Sequence, residues 1–132
     1  SNMSPQKPGF NRGIWKQLEA RVRNLACQDD ILSVEVWCGP WWSSGNVEWI
    51  GDSRGRKTAI PHGFWKVAMA ESTRGSLRMW GFNIPNEESS SSVDTFQSTV
   101  ADIEILSGIM TFPMLYGCDF MKQKVSKIWD IT

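Results

Sequence analysis

Residues 10–25 decide the fold, and they read Phe-Asn-Arg-Gly-Ile-Trp-Lys-Gln-Leu-Glu-Ala-Arg-Val-Arg-Asn-Leu. Asparagine is a strong N-cap residue and good helix formers follow it, so this stretch predicts a helix over about residues 11–27 that begins near Asn11. The helix has one apolar stripe at helical spacing, formed by Trp15, Leu18, Val22 and Leu25. Such a stripe packs against a core, so a sheet or a second helix must cover it.

Three polar residues, Asn11, Glu19 and Arg23, flank that stripe on one side. At about 100° per residue, Glu19 lies about 80° around the axis from Asn11, and Arg23 lies about 40° further. An amide oxygen can bind a hard divalent cation, a carboxylate can hold its water ligands and a guanidinium can bind a phosphate oxygen. The alternative, which the residues alone favour, is an Asn11 cap and a Glu19–Arg23 surface pair contributing about 0.3 kcal/mol.

The rest of the chain predicts a sheet and then more helix. Strands are expected at 31–38, where Gly39-Pro40 ends the strand, at 47–50, and as an antiparallel hairpin at 64–70 and 77–84. Residues 51–57 are expected to form a polar loop, and 87–92 a serine-rich linker. Helices are expected at 99–107, capped by Thr99 and ended by Gly108, and at 119–129. This order favours an α+β fold with an antiparallel sheet.

Composition and charge bound the class of protein. The 132 residues suit one domain, and 14 basic residues balance 14 acidic ones, which excludes a globally basic nucleic-acid binder. The balance conceals two basic blocks: residues 1–23 hold five bases and one acid, and residues 54–78 hold six bases and one acid. The blocks either converge on one positive face suited to phosphates or are solvated surface. The three cysteines include no Cys-x-x-Cys pair, which excludes a structural zinc site.

Histidine and tryptophan give weaker signals. The single histidine, His62, lies between Pro61 and Gly63 and is expected to be structural. Four tryptophans cluster around the predicted strands, namely Trp37, Trp41, Trp42 and Trp49. Such a cluster either packs into a core or interface, which is the favoured interpretation, or forms a platform that binds sugars or bases.

Five motifs in a fixed order carry a family resemblance. They are SNMSPQ at 1–6 with FNRGIW and Leu18-Glu19, a strand ending in Gly-Pro at 36–40, Pro61-x-x-Phe-Trp-Lys-Val, a strand ending in Pro-Asn at 82–86, and VADIE with Leu106 and Gly108. This pattern resembles the DNA/RNA non-specific endonucleases, with Phe10 in place of the usual leucine. The resemblance covers essentially the whole chain, and it implies a ββα-metal nuclease fold.

The resemblance also implies roles for individual residues. Asn11 matches the asparagine that binds Mg²⁺ directly, with Mn²⁺ as a substitute, and water fills most other positions. Glu19 matches the glutamate that orients the hydrated metal, and Arg23 matches an arginine that contacts the phosphate near the leaving group. Three further residues are implied to bind substrate: Asn2, Gln6 and Arg12. Lys66, Trp15 and Trp65 occupy motif positions and are expected to be structural.

This chain departs from the family pattern at the general base. In the family that base is a histidine in an Asp-Arg-Gly-His motif that precedes Ser-Asn-x-x-Pro-Gln, whereas this chain begins inside the latter motif. Residues 1–132 are therefore interpreted as the C-terminal part of a single nuclease domain, with the first strands of the sheet missing and with no activity alone. The expected partner across the open sheet edge is the N-terminal part of the same nuclease, as a separate chain or missing segment, or a second copy in a homodimer.

Three functions remain open from the sequence. The first is a Mg²⁺-dependent endonuclease that hydrolyses DNA and RNA and contacts their phosphate backbone rather than base edges. The second is an inactive relative that binds nucleic acid, and the third is a tryptophan-rich binding module. No membrane partner is expected. Family members are secreted, periplasmic or mitochondrial, so a bacterial source favours the first two locations and a eukaryotic source the third.

Overall fold

The computed structural model describes residues 5–43, 45, 47–51 and 53–112. Two helices, α1 (Pro8–Arg12) and α2 (Ile14–Ala26), precede the strands. The strands are β1 (Ile31–Trp41), β2 (Glu48–Gly51), β3 (Lys57–Ile60), β4 (Gly63–Ser72), β5 (Leu77–Pro85) and β6 (Gln97–Ser98). A 3-10 turn at Val93–Phe96 precedes β6, and helix α3 (Val100–Ser107) follows it. No helix in these ranges is long and apolar enough to cross a bilayer.

The strands form two antiparallel sheets, which confirms the α+β prediction. The larger sheet has the order β1-β4-β5-β6, and β2 and β3 form a separate two-stranded ribbon. In the larger sheet, Cys38 lies opposite Lys66 and Lys66 lies opposite Phe82. Helix α2 packs on one face of this sheet and α3 on the other, so the sheet is the middle of three layers.

The hairpin of β4 and β5 was predicted correctly because its signals are local. Both strands are rich in apolar and β-branched or aromatic residues, and the turn between them contains Gly75 at φ 86°. The left-handed conformation suits glycine, which has no Cβ to clash with the preceding carbonyl. Strand β4 is buried over its first six residues, and it forms the centre of the sheet.

Strand β1 extends past Gly39-Pro40 to Trp41, so the prediction that these residues end it was wrong. Strand β1 is the last strand of its sheet, and a proline on an edge strand needs no ladder partner for its missing N–H. A Cβ at Gly39 would lie 2.9 Å from Trp65 Cζ2, so glycine here admits the indole ring. The strand continues because its two apparent breakers suit an edge.

The predicted polar loop at 51–57 was wrong at both ends. Strand β2 includes Gly51, and Lys57 begins β3, so the two form a hairpin around a shorter turn. Gly55 in that turn has φ 79°. Because β3 reads Lys-Thr-Ala-Ile, it lacks a clear apolar alternation, and its pairing with β2 determines its conformation.

The first helix is divided, and the prediction that Asn11 caps it was wrong. Pro8 occupies the first turn of α1, where its missing N–H has no cost, so the helix begins before Asn11. Gly13 then breaks the helix with φ −103° and ψ −108°, and α2 begins at Ile14. The angle calculated from Asn11 to Glu19 assumed one continuous helix and does not apply, whereas Glu19 and Arg23 do share α2.

Two apolar clusters hold the layers together. On the α2 face the helical stripe meets alternate residues of β4 and β5, including Phe64, Ala68, Trp80 and Phe82. On the α3 face the other alternate strand residues, including Trp65, Val67 and Met79, meet Ile103 of α3. Trp15 and Trp65 are buried as expected, and Trp80 joins them.

Helix α3 confirms both of its predicted ends. The Thr99 side chain accepts a hydrogen bond from the Asp102 N–H at 3.0 Å, and Gly108 caps the C-terminus at φ 73°. The segment 87–92 contains no helix or strand, as expected of a linker. The predicted last helix at 119–129 lies outside the described residues.

Candidate functional site

Asn11 lies near the end of α1 with an exposed side chain. Its backbone N–H donates to the Lys7 carbonyl at 2.9 Å, whereas its side-chain amide has no hydrogen bond with a described residue. The Oδ1 atom therefore keeps its lone pairs for another donor or for a cation. In the simpler alternative, Asn11 only caps a helix and Glu19 and Arg23 only pair with each other. The first part of that alternative is wrong, because Asn11 does not cap a helix.

Trp15, Glu19 and Arg23 form a ladder on α2, since residues four apart lie on one side of a helix. Glu19 is half-buried and Arg23 is exposed. Glu19 and Arg23, both within the described ranges, form no ion pair with each other, so the second part of the simpler alternative, a Glu19–Arg23 surface pair, is also wrong. We call Trp15, Glu19 and Arg23 the α2 ladder; its carboxylate and guanidinium remain available to other groups.

Lys66 reaches the α2 ladder from the sheet beneath. Its backbone lies at the centre of β4, its side chain is 7% exposed, and its Nζ lies 4.7 Å from the centroid of the Trp15 ring. An ammonium over an indole face is attracted by the negative charge of the ring. Because Trp15 and Glu19 are one helical turn apart, the same ammonium lies within electrostatic reach of the Glu19 carboxylate.

Burial lowers the pKa of Lys66 below its ordinary value of 10.5 because desolvation disfavours the charged ammonium. The neighbouring Cys38 and the Glu19 carboxylate act in the opposite direction and raise this pKa, whereas the Arg23 guanidinium lowers it. Lys66 packs as a structural residue against Trp15, as expected. Its charge is nevertheless coupled to both catalytic candidates on the α2 ladder.

Asn86 fixes the segment that leads into α1. The side chain is buried; its Oδ1 accepts from the Lys7 N–H at 2.9 Å, and its Nδ2 donates to the carbonyls of Pro5 and Pro61, each at 3.1 Å. These bonds join the chain before Asn11 to the end of β5. The motif ending in Pro-Asn was identified from the sequence, but no role was assigned to its asparagine.

The three implied substrate-binding residues lie at different depths. Arg12 is exposed on α1 and lines a shallow recess of about 300 Å³ whose other charged residue is Glu88. Gln6 is half-buried, two residues before Pro8. Asn2 lies outside the described residues. No hydrogen bond joins Arg12 and Gln6 within the described residues.

His62 has a structural environment, in line with the sequence expectation. Its Nδ1 accepts from the Ser43 N–H at 3.0 Å, and its ring stacks on Trp41 with centroids 6.0 Å apart. Its backbone carbonyl also accepts from the Asn86 N–H at 2.8 Å. The imidazole is thereby held next to the end of β1.

The tryptophan cluster divides between packed and exposed rings. Trp37 and Trp41 pack against the α3-face cluster, whereas Trp42 and Trp49 are 46% and 59% exposed. The favoured core interpretation therefore holds for two of the four. Cys27 and Cys38 are free thiols, and Cys118 lies outside the described residues.

The donor set fits a hard divalent cation that keeps most of its water. Within the described ranges there is no group of three His, Cys, Asp or Glu side chains that could enclose a metal. Asn11 on α1 offers an amide oxygen, and Glu19 on α2 offers a carboxylate. Mg²⁺ prefers oxygen ligands and dehydrates reluctantly, so one or two protein oxygens with water suit it.

The missed elements of the site are Lys66 as a charged neighbour and Asn86 as an anchor. A lysine between apolar residues of a central strand, Trp65 and Val67, is itself an anomaly in sequence, because lysine is rarely buried. That anomaly could have indicated a carboxylate facing it. No comparable signal marks Asn86, because asparagine after proline is common in turns.

Comparisons with known proteins point to one kind of protein. The family model described as DNA/RNA non-specific endonuclease matches residues 1–117. The nuclease of Serratia marcescens is 29% identical over 83% of this chain, and the mitochondrial endonuclease G of Caenorhabditis elegans is 29% identical over 96%. A chain from the crystal structure of the EndoG/EndoGI complex superposes with a TM-score of 0.66 and 30% identity over 85% of this chain.

The matches cover only part of each relative. This chain spans 41% of the Serratia protein, 44% of the Caenorhabditis protein and 49% of the chain in the EndoG complex. The likeness therefore concerns somewhat less than half of each of these proteins.

Proposed function

This chain belongs to the DNA/RNA non-specific endonuclease family, and we propose that it supplies the metal and phosphate contacts of a Mg²⁺-dependent endonuclease. The substrate proposed is the phosphodiester backbone of DNA and RNA. The α2 ladder supports this proposal: Glu19 and Arg23 share one side of α2, and neither forms an ion pair within the described part of the chain.

Each residue has a distinct task in the proposed reaction. Asn11 holds the cation through Oδ1, and Glu19 accepts hydrogen bonds from its water ligands. Arg23 donates to a phosphate oxygen near the leaving group, where a guanidinium offers two parallel donors. Bound Mg²⁺ would supply charge neutralisation at the phosphate and at the leaving 3′ oxygen. Lys66 compensates the charge of Glu19 from beneath and limits the movement of Trp15.

The general base is proposed to come from another part of the nuclease. Hydrolysis needs a group that removes a proton from the attacking water, and the family pattern assigns that task to a histidine. His62 is the single histidine of this sequence, and its ring is held by Ser43 and Trp41. We therefore infer that the histidine-bearing segment must join this one before cleavage occurs.

The outer edge of β1 is the proposed docking place for that segment. No described strand pairs with this edge, and Leu32 and Val36 on β1 are 65% and 40% exposed. An open edge with apolar side chains favours a further strand. The alternative partner is a second copy of the chain, which size-exclusion chromatography with light scattering distinguishes by mass. A monomer in which the outward-facing β1 amides, those not bonded to β4, resist hydrogen exchange would contradict both.

A plasmid-nicking assay tests the proposed activity. The full-length product that contains this segment is assayed with Mg²⁺, with EDTA, and as Asn11→Ala and Asn24→Ala variants. Asn24 is an exposed asparagine on α2 and serves as the matched control. We expect EDTA and Asn11→Ala to reduce nicking by at least about 100-fold, as expected when electrostatic stabilisation of the transition state is lost. Cleavage that survives Asn11→Ala unchanged would refute the metal role.

A further inference from the structure

A recess of about 340 Å³ opens at the end of α2 that lies away from Asn11. It is formed where the β4–β5 turn meets the residues before β1, and its polar lining includes Asp30, Ser72, Arg74 and Arg78. Its volume falls near the lower limit of ligand pockets, which is about 300 Å³. None of the residues assigned to the proposed metal site lines it.

Two arginines line this recess. Strand pairing places Arg78 opposite Ala70, on the α2 face of the sheet, and Arg74 lies in the turn. Within the described part of the chain, neither arginine forms an ion pair, and Asp30 is the one carboxylate in the lining. The recess therefore has an excess of one positive charge and two donor groups suited to an oxyanion.

Ser72 adds an oriented hydroxyl to the recess. Its Oγ accepts from the Arg74 N–H at 3.3 Å and from the Ser76 N–H at 3.0 Å. A serine hydroxyl with two accepted hydrogen bonds still has its own O–H to donate. The turn thus holds the acceptor side of Ser72 and leaves its donor for a ligand.

We propose that this recess binds a phosphate group through Arg74, Arg78 and the Ser72 hydroxyl. Both arginines belong to the second basic block, residues 54–78, whereas Arg23 of the first block lies on α2. That the phosphate comes from a nucleic-acid backbone rests on the proposed function.

The recess and Asn11 must contact different phosphates. Asn11 precedes α2 and Asp30 follows it, and the 13 residues of α2 span about 20 Å at 1.5 Å per residue. On one strand of B-DNA, 20 Å corresponds to about six phosphates at 3.4 Å each. The recess is thus a second contact that positions a long substrate, separate from the site of cleavage.

Two titrations of the 132-residue chain in EDTA test this inference without metal or cleavage. The first adds inorganic phosphate and follows the backbone amides of 72–78 by NMR. The second measures the affinity for a labelled duplex of about 12 base pairs by fluorescence anisotropy at several salt concentrations. Each compares the wild type with Arg74→Gln/Arg78→Gln and with Arg54→Gln/Lys57→Gln, which removes the same charge from the β2–β3 ribbon.

We expect phosphate to shift the amides of 72–78 in the wild type and not in Arg74→Gln/Arg78→Gln. We expect that variant to bind the duplex about tenfold more weakly, with a salt slope smaller by about one, because the phosphate in the recess is no longer neutralised by arginine. The ribbon variant should bind less than about threefold more weakly than the wild type. Amide shifts with unchanged duplex affinity would make free phosphate the ligand and overturn the nucleic-acid source.

Unshifted amides together with unchanged duplex affinity would overturn the site itself. Equal weakening in both double variants would also overturn it, because it would report net charge alone. Failure of the proposed nuclease function is separate, since it is measured by metal-dependent nicking in Asn11→Ala and the recess by binding in EDTA.

Discussion

The two faces of the four-stranded sheet differ in the kind of residue they bury. The α3 face packs apolar side chains at its centre, with Trp65, Val67 and Met79 against Ile103. The α2 face is equally well packed around Phe64 and Trp80, but it also buries the ammonium of Lys66. One strand, β4, therefore contributes a purely apolar surface to one layer and a charged one to the other.

This difference distinguishes the face that maintains the fold from the face that carries the candidate site. A buried ammonium costs free energy unless it is compensated, and the Trp15 ring and Glu19 supply that compensation only on the α2 face. Three residues proposed for the cleavage site, Asn11, Glu19 and Arg23, lie on α1 or α2. We infer that the α3 face maintains the fold. The α2 face is less stabilising, because it buries a charge near the candidate site.

Truncation of adjacent residues on β4 should give the largest effects and separate the two faces. Phe64→Ala and Trp65→Ala remove buried rings on opposite faces, and each should cost about 3–5 kcal/mol in urea denaturation. The milder pair Phe64→Leu and Trp65→Phe, which keep the fold, should differ in metal affinity. Phe64 stacks on Phe10 at 5.3 Å, next to Asn11, so Phe64→Leu alone should weaken Mg²⁺ binding. Equal weakening by both would remove the distinction between the faces.

Asn86→Ala should destabilise the chain by about 2–3 kcal/mol, because it removes three hydrogen bonds and leaves the Lys7 N–H and two carbonyls without their partner. Urea denaturation measures the loss, and Asn24→Ala, at an exposed position on α2, should change stability by less than about 0.5 kcal/mol. Equal effects at both positions would show that the segment before α1 is not fixed by Asn86.

Lys66→Met should stabilise the chain by about 1 kcal/mol at pH 7, because a linear apolar side chain replaces a desolvated charge. The folded state lowers the pKa of Lys66, so between that pKa and 10.5 the unfolded chain binds more protons than the folded one. Wild-type stability should therefore rise with pH across this window, and the variant should lack that rise. Denaturation at about pH 7 and about pH 10 measures both. If wild-type stability fell relative to that of Lys66→Met as pH rises, folding would raise the pKa of Lys66 rather than lower it.

Thr99→Ala should have the smallest effect, a loss of about 1 kcal/mol or less, because it removes one hydrogen bond to the Asp102 N–H at the start of α3. Thr95→Ala, at an exposed position, is the control and should be nearly neutral. Because α3 lies on the opposite face from Asn11, neither variant should alter Mg²⁺ affinity in titration calorimetry. A change in Mg²⁺ affinity with Thr99→Ala would couple the two faces.

Features set by neighbours in sequence could be predicted, and features set by distant contacts could not. The apolar stripe of α2, the β4–β5 hairpin and the Thr99 and Gly108 caps all depend on residues within one turn or one strand. The break at Gly13 could not be predicted, because the flanking residues are good helix formers. The extension of β1 depends on its edge position and on the Trp65 ring across the sheet.

The candidate site follows the same rule. Spacing on one helix predicted that Glu19 and Arg23 share a side, and the family motifs selected Asn11. The apolar neighbours of Lys66 could have indicated a partner for its charge, but the link crosses from helix to sheet, between residues 15 and 66, so no local pattern could identify that partner. The same is true of Asn86, whose partners are Lys7, Pro5 and Pro61.

We propose that Asn11 holds a divalent cation on the α2 face, and titration calorimetry of Mg²⁺ into the chain measures that binding. We expect wild type and Asn24→Ala to bind Mg²⁺ with the same affinity, whereas Asn11→Ala, with its fold intact by circular dichroism, should bind Mg²⁺ at least about tenfold more weakly. Equal Mg²⁺ affinity in Asn11→Ala and wild type would contradict it.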